Sequence, residues 1–456
     1  MKKLAQLERE FSYELILEKE QLEKYAKDET PGNYYFLPDA VFLPQESDSI
    51  AQLLKLAVSL KIPLTPRGGG TSRTGGALPV YGGVVISLEK MNKILDFDEK
   101  NAILEVEPGV ITGEINNFLK EYNFFFPPDP SSIDSCSIGG NVATNAGGAR
   151  CLFYGVTRDY VRGIEVVFPN GVKEFLGGKL KKDATGYSLL NLLIGSEGTL
   201  GIITRVLIEV RTLPPFSATL VVPFKELEKA AFAAFSVLSS GLIPSAFELI
   251  DEDAFKVANS NLEEKIPVDE EGTLLILELL EKSKREMEEK IELIGNKFLE
   301  NGATDVFVTV DKHQQEKIWG FRRKISEALD EEGTLIPEDI VVPRSFIPDF
   351  IKKAKELGNK FDTRIFTFGH IGDGNLHINI IKREDWEDEG EKVISELFTV
   401  LNSYGGKISG EHGIGFTKKK YLKYSRTKEQ IELMKEIKKI FDPKNILNPG
   451  KIFDLE

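Results

Sequence analysis

The amino-acid sequence predicts an α+β protein with a glycine-rich first half and a second half built on an antiparallel sheet. Three observations carry this. Segments of small residues recur three times before residue 205, a proline pair interrupts the chain within Arg211 to Leu220, and beyond it β-rich runs alternate with long charged helices.

Taken in order, a charged helical lead is followed by Ile50, Leu53, Leu54, Ala57 and Leu60 at helical spacing and by a short strand over Ile62 to Thr65. "PRGGGTSRTGG", Pro66 to Gly76, comes directly after it. Between Gly83 and Val110 the runs "VVISL" and "ILEVEPG" read as strands, and "TGEINNFLKEY" as a helix. Residues 127 to 205 are dense in Gly, Pro and small polar types, broken by the strand "IEVVF" and a "PNG" turn. In the second half "TLLILELLE" and "DVFVTV" read as strands, "KREMEEKIELIGNKFLENG" and "HQQEKIWGFRRKISEALDEEG" as helices, and the chain closes on "FDPKNILNPGKIF".

Composition excludes several function classes. The formal charge of −14 over 456 residues, with no long basic run, leaves no phosphate-neutralising surface, so nucleic acid is not expected as a partner. Two cysteines, Cys136 and Cys151, cannot supply the four thiolates of an iron–sulfur cluster. There is no apolar run of transmembrane length, and "MKKLAQLEREFSYEL" carries charges where a signal peptide needs apolar residues; the expected location is the cytoplasm.

Consecutive glycines in Pro66 to Gly76 allow positive φ and present several N–H groups in one concavity, which suits a phosphate; alone, such a stretch is equally a flexible loop. It is neither a P-loop nor a Rossmann fingerprint. Recurrence strengthens the binding reading. "PPDPSS" (Pro127 to Ser132), "SIGGNVATNAGG" (Ser137 to Gly148) and "IGSEGTLGIIT" (Ile194 to Thr204) also minimise bulk, as one long ligand approached by backbone from several sides requires.

In order and spacing these motifs resemble the FAD-binding half of the vanillyl-alcohol-oxidase-type flavoproteins, and the second half resembles their D-lactate dehydrogenase, glycolate oxidase and D-2-hydroxyglutarate dehydrogenase branch, over roughly residues 35 to 455. The resemblance implies a two-part FAD-binding domain at 1–213, an antiparallel-sheet substrate or cap domain at 214–408, and a short helical C-terminal segment at 409–456 that completes the active site. It implies FAD contacts from Arg67, Gly68, Gly69, Gly70, Thr71, Ser72, Gly75 and Gly76. Further contacts would come from Pro128, Ser131, Ser132, Gly139, Gly140, Asn141, Thr144, Asn145, Gly147 and Gly148, and later from Glu197, Gly198, Gly201, Ile202 and Asn448. Members that link flavin covalently from the first loop carry a histidine where this chain has Thr71. No histidine precedes His313, so the FAD is expected to be non-covalent.

Two of the four histidines flank a Gly-Asp-Gly-Asn turn in "FTFGHIGDGNLHINI", Phe366 to Ile380. Folded as a hairpin with Gly372 to Asn375 as a four-residue loop, the segment sets His370 opposite His377, with Cβ atoms about 4.5–5.5 Å apart, and Asn379 across from Phe368. A hydrogen-bonded pair of core histidines would look the same. "GGKISGEHGIG" then adds Glu411 and His412, and His370, His377 and Glu411 form a His₂-carboxylate set suited to Zn, Mn or Fe with open positions. The family resemblance implies the same three ligands, with Asn379 and His412 facing the substrate, and His412 suits a general base.

On "IWGFRRKISEAL", Trp319, Arg322 and Ser326 share one helix face, while Arg323 points away. An Arg-Arg pair on a charged helix is ordinarily solvated; the resemblance makes Arg322 the anchor of a substrate carboxylate, with Ser326 where a threonine often stands. The expected activity is oxidation of a small D-2-hydroxy acid by an FAD-dependent dehydrogenase. Arg322 would hold the carboxylate and His412 would take the hydroxyl proton as the α-hydrogen leaves as hydride to flavin, assisted by a divalent metal. An electron-accepting protein or a quinone is the expected reoxidant, and a homodimer is allowed. Relatives that accept a dicarboxylate carry a lysine after this helix. Here Pro337 takes its place in "TLIPEDIVVP", and Glu338 would repel a second charge if it faced the same way, so D-lactate, then glycolate or longer D-2-hydroxyalkanoates, are expected over D-2-hydroxyglutarate. Two other classes remain: a flavin-dependent transferase of the same fold without net oxidation, and a His₂Glu metallohydrolase with structural glycine loops.

Overall fold

The computed structural model describes residues 2–455 except 264, 267, 269, 270 and 387. The chain divides into two units, one of Met1–Gly147, Val156–Leu213 and Glu411–Glu456, the other of Gly148–Gly155 and Pro214–Gly410. No helix among the described residues is long and apolar enough to cross a membrane.

In the first unit, strands Leu15–Ile16, Ala40–Phe42, Val84–Ser87 and Leu64–Arg67 form a small mixed sheet in that order. Helix Ser47–Leu60 carries the predicted apolar stripe, and Ile50, Leu53, Leu54 and Ala57 are buried against Phe42, Leu64 and Ile86. Lys61 ends it in the left-handed conformation (φ 51°), and the strand starts two residues later than its expected position at Ile62. A second, five-stranded antiparallel sheet runs Ile94–Asp98, Ile103–Val106, Ile202–Glu209, Val161–Val167, Lys173–Gly177.

The second unit is a seven-stranded antiparallel sheet. Its strands are β1 (Phe216–Phe224), β2 (Ala246–Ile250), β3 (Thr273–Glu281), β4 (Phe307–Thr309), β5 (Leu335–Val341), β6 (Ile365–His370) and β7 (Asn375–Ile381), in the spatial order β4-β1-β3-β2-β6-β7-β5. Directly paired residues share a face. The register therefore aligns Thr219, Glu278, Glu248, Phe368, His377, Asn379, Pro337 and Asp339 on one side. Helices α1 (Glu252–Asn261), α2 (Lys312–Arg323) and α3 (Ile325–Asp330) cover that side, burying Phe255, Phe321, Ile325 and Leu329 against Ile250, Ile276, Phe366 and Phe368. Each such side chain contributes about 1.5–3 kcal/mol by leaving water. The opposite side packs on Phe298 of helix Lys284–Glu300, which meets Phe224 and Phe247 edge-on.

One expectation is corrected here. The helix does not run unbroken through Ser326. It stops at Lys324 (φ −89°, ψ 2°) and restarts as α3 at Ile325, so Arg322 and Ser326 lie on different helices.

Candidate active site

The β6–β7 hairpin keeps a four-residue loop, but the loop is Ile371 to Gly374 rather than Gly372 to Asn375. His370 pairs with Asn375, Phe368 with His377 and Phe366 with Asn379. His370 is therefore diagonal to His377 rather than opposite it, and Asn379 faces Phe366 rather than Phe368. Gly374 explains the shift. It sits at φ 89°, where a Cβ would lie 2.2 Å from the Val342 carbonyl oxygen, so it takes the last turn position and releases Asn375 into the strand. There the Asn375 amide donates to Asp339 (2.6 Å) and to the Ile340 carbonyl (2.8 Å). A two-residue shift preserves the side-chain period, so both imidazoles still share a face, with ring centroids 5.5 Å apart.

Around this pair the sheet collects polar groups in an otherwise apolar core. Glu248 of β2, fully buried, accepts from Nε of Arg322 (2.6 Å) through one oxygen and contacts His370 Nδ1 (2.5 Å) through the other. Burial alone would push this carboxyl up; the charges and hydrogen bonds of Arg322 and His370 outweigh it and hold it down at about 2. Arg322 is buried with its guanidinium 4.7 Å above the Phe368 ring, whereas Arg323 is exposed. Asn379 is buried beside the His377 carbonyl (3.4 Å), and Ser326 is half-buried on α3.

Asp339 of β5 organises the approach to the next motif. It accepts from Ser409 Oγ and Gly410 N, both at 2.9 Å, and a Cβ on Gly410 would meet the Asn375 amide at 2.4 Å. Glu411 follows directly, and the boundary between the units falls at that peptide bond. His370 and His377 stand on one face of the second unit's sheet, and Glu411 opens the last stretch of the first unit. His412 Nε2 is 3.8 Å from the Glu411 carboxylate.

In the first unit the glycine segments meet by backbone. A Cβ on Gly68 would stand 2.2 Å from Ser137 Oγ, and one on Gly69 2.2 Å from the Ser135 carbonyl. Ser137 caps helix Ile138–Thr144, which holds Gly139, Gly140, Asn141 and Thr144 and ends at Asn145 in the left-handed conformation. Ser72 Oγ accepts from Thr74 N and Gly76 N, closing the loop beside Thr71 and Gly75. Arg67 donates to the Lys27 carbonyl at 2.8 Å, Asn141 to Thr112 at 2.7 Å. Pro128 is buried, Ser131 exposed, and Ser132 accepts from Cys136 N. Gly147 ends the segment in this unit and Gly148 opens the short stretch assigned to the other, where Arg150 forks onto Glu278 with two bonds of 2.8 Å. A Cβ on Gly198 would clash with Pro66 and one on Gly201 with Val166, while Ile202 is buried in the core, so these positions serve close packing.

Glu197, itself left-handed (φ 52°), accepts from Ile414 N (2.8 Å) and Gly415 N (2.7 Å); burial pushes its carboxyl up against those two donors. Thr74 Oγ1 donates to the His412 carbonyl (3.1 Å), and the Asn448 amide donates to the carbonyls of Gly76 (3.1 Å) and Glu197 (2.8 Å). Asn448 Oδ1 is buried without a partner among the described residues. An unused buried acceptor beside a cradle that only glycine backbone can line fits a bound cofactor. Sequence reasoning missed Glu248 and assigned no role to Asp339 or Asn375; the signal for Glu248 was a lone carboxylate in the apolar strand "AFELI", and for Asp339 an acidic pair inside the strand "LIPEDIV".

Residues 38–175 match the family model described as FAD binding domain, and residues 213–452 that of FAD linked oxidases, C-terminal domain. The glycolate oxidase subunit GlcD of Bacillus subtilis is 40% identical over 435 residues, covering 94% of this chain and 92% of that protein. The D-lactate dehydrogenase of Anaerostipes hadrus is 38% identical over 425 residues, 91% of this chain and 89% of that one. Among solved structures, p-cresol methylhydroxylase superposes with a TM-score of 0.81 at 17% identity, over 100% of this chain and 98% of that one, a likeness of fold alone. With both halves matched in order and an antiparallel sheet in the second, the chain belongs to the FAD-linked oxidases, in the branch of flavoprotein hydroxy-acid dehydrogenases and oxidases.

Proposed function

We propose that the chain oxidises a small D-2-hydroxy acid, D-lactate first and glycolate next, to the 2-oxo acid, with non-covalent FAD as the hydride acceptor and a divalent metal held by His370, His377 and Glu411. The observation that carries this reading is one face of one sheet presenting two imidazoles beside a buried guanidinium 4.7 Å over the Phe368 ring. The guanidinium binds the substrate carboxylate through its Nη groups. His412 Nε2 takes the hydroxyl proton, and FAD, when bound, would supply the two-electron acceptor for the α-hydrogen leaving as hydride. The metal, when bound, supplies Lewis acidity that lowers the hydroxyl pKa. Buried Asn379 orients the substrate beside His377. The reduced flavin would then need an electron-accepting protein or a quinone as oxidant.

Pro337 supports the substrate size. It pairs with Asn379 on the site face and offers no donor for a second carboxylate. Glu338 pairs with Ile378 and points to the other face, so it is not a repelling group in the site. The test is anaerobic mixing with a panel of D- and L-2-hydroxy acids. D-lactate is expected to bleach the flavin band and to exceed D-2-hydroxyglutarate in kcat/KM by roughly tenfold or more, the worth of one lost charge-assisted bond. A better dicarboxylate substrate refutes the size argument, and an unbleached flavin refutes the reaction. Chelation should abolish turnover with FAD retained, and acid precipitation should release the yellow colour into the supernatant.

A further inference from the structure

The proposed reading gives Arg322 and His370 separate jobs, yet a single side chain holds both. Glu248 Oε2 receives Nε of Arg322 at 2.6 Å and Nη2 at 2.5 Å, and Oε1 meets His370 Nδ1 at 2.5 Å. Glu248 has no exposed surface. A buried ionic cluster contributes little net stability compared with apolar side chains of the same volume. What it supplies is orientation. An ionised carboxylate can only accept hydrogen bonds, so Nδ1 of His370 must carry a proton, and Nε2 is the ring nitrogen left to bind a metal. Arg322 is gripped along its Nε edge and stacked on Phe368, which leaves Nη1 without a hydrogen bond among the described residues.

We infer that Glu248 is a positioning residue that couples the two halves of the site: it fixes the tautomer and ring orientation of His370 for a metal and pins Arg322 so that its outer edge is preset for the substrate carboxylate. The inference rests on the proposed roles of His370 and Arg322. A residue whose only task was to balance the Arg322 charge would have no hold on metal affinity, and this separates the two roles.

The experiment titrates apoprotein, FAD bound and metal removed, with Zn²⁺ against a chelating dye, alongside KM for D-lactate and FAD content. Glu248→Gln is expected to weaken Zn²⁺ binding by about 10–100-fold, the range for losing an outer-shell carboxylate partner, and to raise KM, with FAD content unchanged. Arg322→Met is expected to raise KM while leaving Zn²⁺ affinity little changed. Should Glu248→Gln fail to fold, the double variant Glu248→Gln/Arg322→Met removes both charges, and its Zn²⁺ affinity should fall about tenfold or more below that of Arg322→Met. Equal affinities in that comparison, or wild-type Zn²⁺ affinity in Glu248→Gln, overturn the inference. The wild type offers a check without substitution: with ¹⁵N-histidine labelling only four imidazoles report, and neutral, metal-free His370 must show Nδ1–H. An Nε2–H tautomer overturns it. A wild type that binds no Zn²⁺ instead sinks the metal reading on which both rest, a distinct result.

Discussion

The C-terminal anchor of the cofactor cradle makes a demanding prediction. Lys438 lies in helix Lys428–Phe441, and its ammonium, almost wholly buried, donates to Asp442 (2.5 Å) and to the carbonyls of Thr199 and Leu447 (both 2.8 Å). Asp442 in turn accepts from Ile446 N (3.2 Å) and Leu447 N (2.8 Å), setting the turn that delivers Asn448 to Gly76 and Glu197. Lys438→Met keeps much of the volume but leaves the Asp442 carboxylate buried with only two backbone donors. Breaking a buried pair from one side costs about 3–5 kcal/mol. At about 2–4 °C per kcal/mol for a unit of roughly 250 residues, the melting transition of the first unit should fall by about 6–20 °C. FAD should dissociate more readily, since the Leu447 backbone precedes Asn448. Lys438→Met/Asp442→Asn, which removes both charges, should recover a large part of the loss. The assay is denaturant unfolding followed by released-flavin fluorescence. Lys438→Met within about 1 kcal/mol of wild type, or a double variant as unstable as the two single losses added, refutes the reasoning.

Two further outcomes test other parts of the molecule. Arg322→Met removes a bidentate pair worth two charge-assisted bonds of about 1.5–3 kcal/mol each, so kcat/KM for the hydroxy acid should fall roughly 10²–10⁴-fold, and Arg322→Lys should recover only part of it; an unchanged KM in Arg322→Met would exclude it as the anchor. Asp251 caps α1 through Ala254 N (2.8 Å) and accepts from Thr367 N (3.1 Å); burial pushes its carboxyl up to about 6 against the pull of Lys355, with Asp253 adding to the rise. Between about pH 4 and pH 6 the folded state then holds more protons than the unfolded one, so stability falls as pH rises through that window, by about 3 kcal/mol from this group. Asp251→Asn keeps the cap and should flatten that slope in denaturation measured from pH 4 to 7; identical slopes would refute the assignment.

How far the site was legible depends on the range of the interaction that sets each residue. Glycine loops, the hairpin and the different directions of Arg322 and Arg323 are local, decided by backbone freedom and period, and the sequence carries them in neighbouring letters. The hairpin register was misjudged because Asn375 is a favoured turn residue in isolation, whereas here its amide is claimed by Asp339, 36 residues away. The helix break at Lys324 and the buried role of Glu248, whose partners lie 74 and 122 residues along the chain, have no local signature at all. Glu338 was within reach of reasoning, since strict alternation beside Pro337 already turns it to the opposite face. The error in register was harmless to the chemistry for a definite reason. Strand side chains repeat every two residues, so a slip of two in the pairing exchanges which residues are opposite but not which face they share. His370 and His377 stay on one side in both registers, and with them the inference that they act together; a slip of one would have sent one imidazole into the apolar layer on Phe298. What a sequence fixes most firmly about such a site is therefore the parity of its strands, and what it leaves to the folded chain is the distant carboxylate that aims them.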